Sequence, residues 1–162
     1  MRPEDVPDVV STSLAADTVF ADAGVVLPPD DPRELIEHAD RILVAGEPVR
    51  GLAATVVVDG RTHLEQLAVH PGHGRRGLGS ALLEAVCAEA AGRGDRELTL
   101  TTFRDLPWNG PWYARRGFVP LERGEWGPEL ERVWEAEERA GIRVLPRIAM
   151  VRRLSRRPRP VG

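Results

Sequence analysis

The stretch Pro71-Gly72-His73-Gly74-Arg75-Arg76-Gly77 constrains this chain more than any other. An apolar run ending in Leu67, Ala68 and Val69 precedes it. Behind it, Leu78, Ala81, Leu82, Ala85 and Val86 recur at the spacing of a one-faced helix. A further strand-like run, Glu97 to Phe103, follows that helix. Strand, glycine loop, helix and strand in this order predict a crossover between parallel strands. The loop also predicts an anion site. The first helical turn has free N–H groups, and the helix dipole favours negative charge there. Arg75 and Arg76 add two permanent positive charges. A ligand bearing phosphates fits this loop; a plain glycine turn with solvated arginines is the alternative.

The rest of the chain sets the context. Residues 6–23 keep helical spacing, with Pro7 in the first turn and Gly24 as the stop. A short helix over 33–39 follows, with Asp31 as its cap and Pro32 at its first position. Runs at 41–45, 49–58 and 62–69 have short connections, the second joined to the third by Asp59-Gly60, and predict an antiparallel meander. After the crossover come a short helix stopped by Gly117, a strand at 119–121, a charged helix over 129–140 and a last strand at 147–154. The expected fold class is α+β: one three-layer domain, residues 1–154, with a mixed, mostly antiparallel sheet and helices on both faces. Residues 155–162 form an Arg/Pro-rich tail expected to be solvated and disordered.

Composition removes several classes of chemistry. All 22 basic residues are arginine, so no lysine is available for a Schiff base or a P-loop. Cys87 is the sole cysteine, which rules out an internal disulfide and a four-cysteine zinc site. His70 and His73 flank the loop without a nearby carboxylate or thiol, and no metal is expected. No apolar run approaches the length of a membrane span, and the first residues lack the apolar segment of a secretion signal. A cytoplasmic protein without membrane or nucleic-acid partners is the expectation; the formal net charge is −3.

Two nucleotide-binding patterns compete for the loop. Gly72 and Gly77 have P-loop spacing, but Leu78 and Gly79 replace the required lysine and hydroxyl. Gly72, Gly74 and Gly77 spell a dinucleotide-binding pattern, but a meander precedes them and Glu97 begins the next strand instead of ending it. The stretch from Leu67 to Leu83 resembles instead the acyl-donor loop of the GNAT superfamily of N-acetyltransferases. Gly77 and Gly79 take that family's two glycine places; Gly74 stands where the family has Gln or Arg. A second motif, Asn109, Tyr113 and Gly117-Phe118, resembles the family's Asn, Tyr and Gly-Phe. The likeness covers about residues 40–121. The family usually opens with an edge strand; here Met1 to Asp5 lead almost at once into a helix, so the first strand is expected to be shortened or to lie upstream.

The resemblance implies transfer of an acetyl group from acetyl-CoA to an amine of a small-molecule or peptide acceptor, without a metal. It implies donor-binding roles for Leu67, Ala68, Val69, Gly74, Arg75, Arg76, Gly77, Leu78, Gly79, Ser80 and Asn109. It implies Tyr113, the only tyrosine, as the acid that protonates the departing thiolate. Glu65 is the first choice for the base and His63 the second. Strand alternation predicts that both share a face with Leu67 and Val69. A homodimer is compatible with the family. Two other readings stay open: an acyl-CoA-sensing domain that turns nothing over, and an NAD(P)-binding oxidoreductase.

Overall fold

A computed structural model describes residues 1–74 and 76–155. The predicted elements form with small shifts at their ends. Helix α1 spans Val6–Asp22 and α2 Pro32–His38; strands β1, β2 and β3 span Arg41–Ala45, Gly51–Val58 and Arg61–Val69. Helix α3 (Leu78–Gly92), strand β4 (Glu97–Phe103), helix α4 (Gly110–Ala114) and strand β5 (Val119–Pro120) follow, then helix α5 (Pro128–Arg139) and strand β6 (Arg147–Arg153). Asp31 caps α2 as the sequence predicts, its carboxylate accepting from Arg33 N–H at 3.0 Å. The second strand starts at Gly51, not Val49. No strand precedes α1 among the described residues; Pro3–Asp5 form a single tight turn instead. The tail from residue 156 lies outside the described residues.

The sheet order is β1-β2-β3-β4-β6-β5. All neighbours are antiparallel except β3 and β4, the predicted crossover pair. Helices cover both faces, as patterned. On one face α3 buries Leu82, Leu83, Val86 and Cys87 against Ala53, Leu64, Leu98, Leu100 and Met150. On the other, α1 and α2 cover Ile42, Leu52, Ala54 and Ala68. Further along that second face α5 buries Leu130 against Val58, Ala149 and Val151.

Helix α5 begins at Gly127-Pro128 and has no capping side chain of its own. Asp59, in the β2–β3 turn, supplies one from a distance. Its Oδ1 accepts from Glu129 N–H at 2.9 Å and its Oδ2 from Leu130 N–H at 3.0 Å. Glu129 returns a bond to Asp59 N–H.

Two departures from regular sheet geometry position the site. Ala54 pairs with Gln66 and Thr55 with Leu64, so Glu65 is an extra, unpaired residue: a β-bulge in β3. Next, β3 and β4 pair only at His63↔Thr99 and Leu64↔Leu100. Beyond those positions the strands part, with Glu65 to Val69 on one wall and Thr101 to Phe103 on the other.

Candidate active site

The bulge rewrites the expected alternation along β3. Leu64 and Leu67 both pack on the α3 face although they are three residues apart. Val69 faces the same way: a Cβ placed on Gly79 of α3 would lie 3.6 Å from its methyl. Ala68 packs under α1 and α2. Gln66 bonds Ser13 of α1, its Nε2 donating to Oγ at 2.9 Å. His63 bonds Thr99, which alternates with the core residues Leu98 and Leu100. Glu65 meets His38 at the end of α2. Thus Glu65 and His63 do not share a face with Leu67 and Val69; the inserted residue shifts the period by one. Backbone from Leu67 to Val69 still lines the gap, with Glu65 at its apex.

The two base candidates have opposite surroundings. His63 is buried, and burial pushes its imidazole down to about 4. Its Nδ1 lies 2.9 Å from Thr99 Oγ1. Glu65 keeps about a third of its side chain exposed. Its partner is His38, whose Nε2 lies 2.8 Å from Glu65 Oε1 and whose Nδ1 lies 2.6 Å from the Glu34 carbonyl oxygen. Both of those partners only accept, so both ring nitrogens must donate, and the ring is an imidazolium. The hydrogen bond to Glu65 accordingly raises the His38 pKa. No sequence motif marks His38; its role arises only when α2 docks over the bulge.

At the other end of the gap the glycine loop makes a tight turn. His70 Nδ1 accepts from Gly72 N–H at 3.1 Å, and Gly74 N–H donates to the Pro71 carbonyl at 3.3 Å. The Gly74 amide is thereby engaged within the loop. Gly77 takes a left-handed conformation, φ +78°, and offers no capping side chain to α3. The first helical bond runs from Ala81 N–H to Gly77 O at 3.0 Å. The N–H groups of Leu78, Gly79 and Ser80 precede it and face outward as a helix start requires. Arg76 is exposed beside them; Arg75 lies outside the described residues. One cation the sequence reading missed joins this helix start. Arg116 stacks 3.6 Å over Trp112 and donates to Ser80 Oγ at 3.1 Å and to the Trp112 carbonyl at 3.0 Å.

Helix α4 closes the site from the α3 face. Tyr113 N–H donates to Asn109 O at 3.0 Å, which gives the one-turn relation expected between them. The Tyr113 ring is buried edge-on against Trp112 and Phe118, with centroids 5.1 and 5.5 Å away. Burial raises its phenol above the ordinary tyrosine range, so it stays protonated. Asn109 Oδ1 is buried without a partner. An orphaned acceptor at the gap fits a ligand donor such as an amide N–H. Tyr113 and Glu65 approach the gap from opposite faces of the sheet and share no contact.

The comparisons with known proteins agree with this geometry. A family profile described as "Acetyltransferase (GNAT) domain" matches residues 38–120. A mycothiol acetyltransferase from Clavibacter sepedonicus is 44% identical over 95 residues, covering 55% of this chain and 31% of that protein. Its counterpart from Clavibacter michiganensis is 40% identical over 96 residues, again covering 31% of its length. The chain thus spans about a third of these curated relatives. Among solved structures, N-acetylglutamate synthase from Neisseria gonorrhoeae superposes with a TM-score of 0.73 at 20% identity, over 96% of this chain and 34% of that one. A GNAT-family acetyltransferase from Staphylococcus aureus Mu50 gives 0.71 at 16% identity, over 96% of both chains. The glycine loop, the parted strands and the profile match converge: this chain belongs to the GNAT family of acetyltransferases.

Proposed function

We propose that the chain transfers an acetyl group from acetyl-CoA to an amine of a small-molecule acceptor by direct attack. The observation that carries this reading is the parting of β3 and β4 beyond Leu64↔Leu100, with Glu65 as the first residue past the last pair. Three features fit the donor. The uncapped start of α3 offers backbone N–H groups and a positive dipole to a pyrophosphate. Arg76 and Arg116 add charge beside it. Asn109 Oδ1 and the edges of Leu67 to Val69 offer hydrogen bonds to an extended amide arm. Acetyl-CoA, when bound, supplies a thioester carbonyl activated toward nucleophiles.

The chain's own residues then divide the proton work. Glu65 takes the proton that the amine must lose to attack. Its ion pair with His38 fixes the carboxylate's direction at the apex of the gap. Tyr113 gives its phenolic proton to the departing sulfur, and a phenol held protonated by burial suits that role. A domain over residues 1–154, a cytoplasmic setting and a homodimer belong to the same reading.

The test is thermal unfolding with acetyl-CoA, CoA, NAD and NADP, one at a time. At about 100-fold the dissociation constant a ligand adds about 2.7 kcal/mol, several degrees for a chain of this size. Shifts with acetyl-CoA and CoA alone support the reading; a shift with NAD or NADP alone sinks it. Free-thiol release over an amine panel then separates an enzyme from a sensor, which would bind without turnover.

A further inference from the structure

Seven buried side-chain polar atoms have no hydrogen-bond partner among the described residues, and six cluster around the C-terminal end of β4. They are Trp108 Nε1, Asn109 Oδ1, Glu137 Oε2, Arg143 Nε and Nη2, and Arg147 Nε. Asn109 is already assigned to the donor arm. The rest lie on the opposite face of the sheet, the face Glu65 occupies. Arg147 pairs across the strands with Phe103 and stacks 4.7 Å over its ring. Phe103 packs against Phe20 of α1, and Phe20 against Trp108.

Arg147 is the key group. Its side chain is only 7% exposed. Its Nη2 lies 3.3 Å from Glu137 Oε1 and 3.4 Å from Thr101 Oγ1, and Thr101 Oγ1 itself donates to Glu137 Oε1 at 2.5 Å. A guanidinium has five N–H donors, and burying them unmet is costly. Arg143 stands close enough to oppose the charge of Arg147. It stacks 4.5 Å over Trp134 and spends Nη1 on Glu138 at 3.1 Å, leaving Nε and Nη2 free. Two guanidiniums and two carboxylates, Glu137 and Glu138, therefore balance in charge, while three guanidinium nitrogens keep unmet donors.

The position gives this cluster a purpose. Thr101 is the first β4 residue beyond the last β3–β4 pair, as Glu65 is on β3. The Arg147 guanidinium reaches back to Thr101 and so stands across the opening from Glu65. Paired strands lie about 4.8 Å apart, and parted ones farther. An amine and a carboxylate borne on one carbon can therefore face the two walls of this opening. We propose that the acceptor is an α-amino acid, with its carboxylate held by Arg147 and Arg143 and its amine presented to Glu65. This rests on the acetyl-transfer reading and names its substrate class. Phe20, Phe103 and Trp108 form an apolar wall for the acceptor's side chain.

The experiment compares each of the twenty L-α-amino acids with its α-carboxamide. Initial rates are read as CoA thiol release, and in parallel each compound is tested for stabilising the CoA-saturated chain. The expected result is at least one amino acid favoured over its carboxamide by about 30-fold or more in kcat/KM. In Arg147→Gln that ratio falls to within about 3-fold, through KM more than kcat. Arg147→Gln leaves Glu137 buried without its cation, so the double variant Arg147→Gln with Glu137→Gln is measured beside it. Carboxamides or simple amines that serve as well as the acids overturn the inference. So does a folded double variant that keeps the preference. If CoA shifts the melting temperature but no amino acid adds to it or turns over, the inference fails while the acetyl-CoA reading stands; if CoA itself does nothing, both fail.

Discussion

His38 holds Glu65 with one ring nitrogen and the Glu34 carbonyl oxygen with the other, at 2.8 and 2.6 Å. A ring that donates twice is charged, so the pair exists as imidazolium and carboxylate. The folded His38 pKa is raised; its contribution is complete below the unfolded value, about 6.5, and fades as pH rises through the folded one. The pair is half exposed, so its effect on stability is small. His38→Gln is expected to lower Tm by about 1–3 °C at pH 6 and by nothing measurable at pH 9. Melting curves at the two pH values decide this; a constant difference would refute the charged pair.

The same contact predicts a kinetic signature. Releasing Glu65 from its partner frees its rotamer at the apex of the gap. His38→Gln should lower kcat/KM by about 3–10-fold through the misdirected carboxylate, whereas Glu65→Gln should cut kcat by about 100-fold or more. Steady-state rates of both variants with the best acceptor provide the check. An unchanged kcat in Glu65→Gln would assign the base elsewhere.

Tyr113 predicts a rate loss without loss of the fold. Its ring fills the space between Trp112 and Phe118, and phenylalanine keeps that ring. Tyr113→Phe should retain the wild-type Tm within a few degrees while kcat drops by about 100-fold. The raised phenol pKa adds that no basic limb from this group appears below pH 10. Equal kcat in the two proteins would remove Tyr113 from the mechanism.

His63 makes the fold acid-sensitive. Its folded pKa is about 4 because the ring is buried, so between pH 6.5 and 4 the unfolded chain takes up a proton that the folded chain refuses. Stability is full above that window and falls through it, by as much as about 3 kcal/mol. His63→Gln should flatten this dependence. Urea midpoints at pH 7.5 and 5 are sufficient to measure it.

Two glycines separate steric need from conformational need. A Cβ on Gly110 would run into the Arg104 carbonyl oxygen and lie 3.1 Å from that of Phe103, both backbone atoms. Gly110→Ala should therefore displace the start of α4 and cost about 2–4 kcal/mol. Gly77 meets nothing within 4 Å but holds φ +78°. Gly77→Ala should cost about 1 kcal/mol and weaken CoA binding by loosening the helix start. Chemical denaturation of both variants, with CoA titration of the second, tests the pair.

Most of the architecture was legible because periodicity and punctuation agreed. Asp31 and Pro32 announced α2, Asp59-Gly60 announced the hairpin, and Gly77 set the start of α3. The bulge was written in β3 as well, since Leu64 and Leu67 cannot share a face at a period of two. Strict alternation therefore misplaced Glu65 and His63 relative to Leu67. His38, Arg116 and Arg147 were not legible. Each acts across a tertiary gap, at 27, 36 and 46 residues from Glu65, Ser80 and Thr101. No local pattern encodes such distances.

The long-range cap on α5 ties two distant parts of the molecule together. The first turn of α5 has Pro128 and two acidic residues of its own, but its cap is a carboxylate 70 residues earlier in the chain. That cap exists only where the β2–β3 turn holds Asp59 in place. Glu137, near the far end of α5, meets Thr101 through the same docked helix. The hairpin turn is thus a distant latch: a change that displaces Asp59 loosens α5 and, through Glu137, the Thr101 wall of the gap.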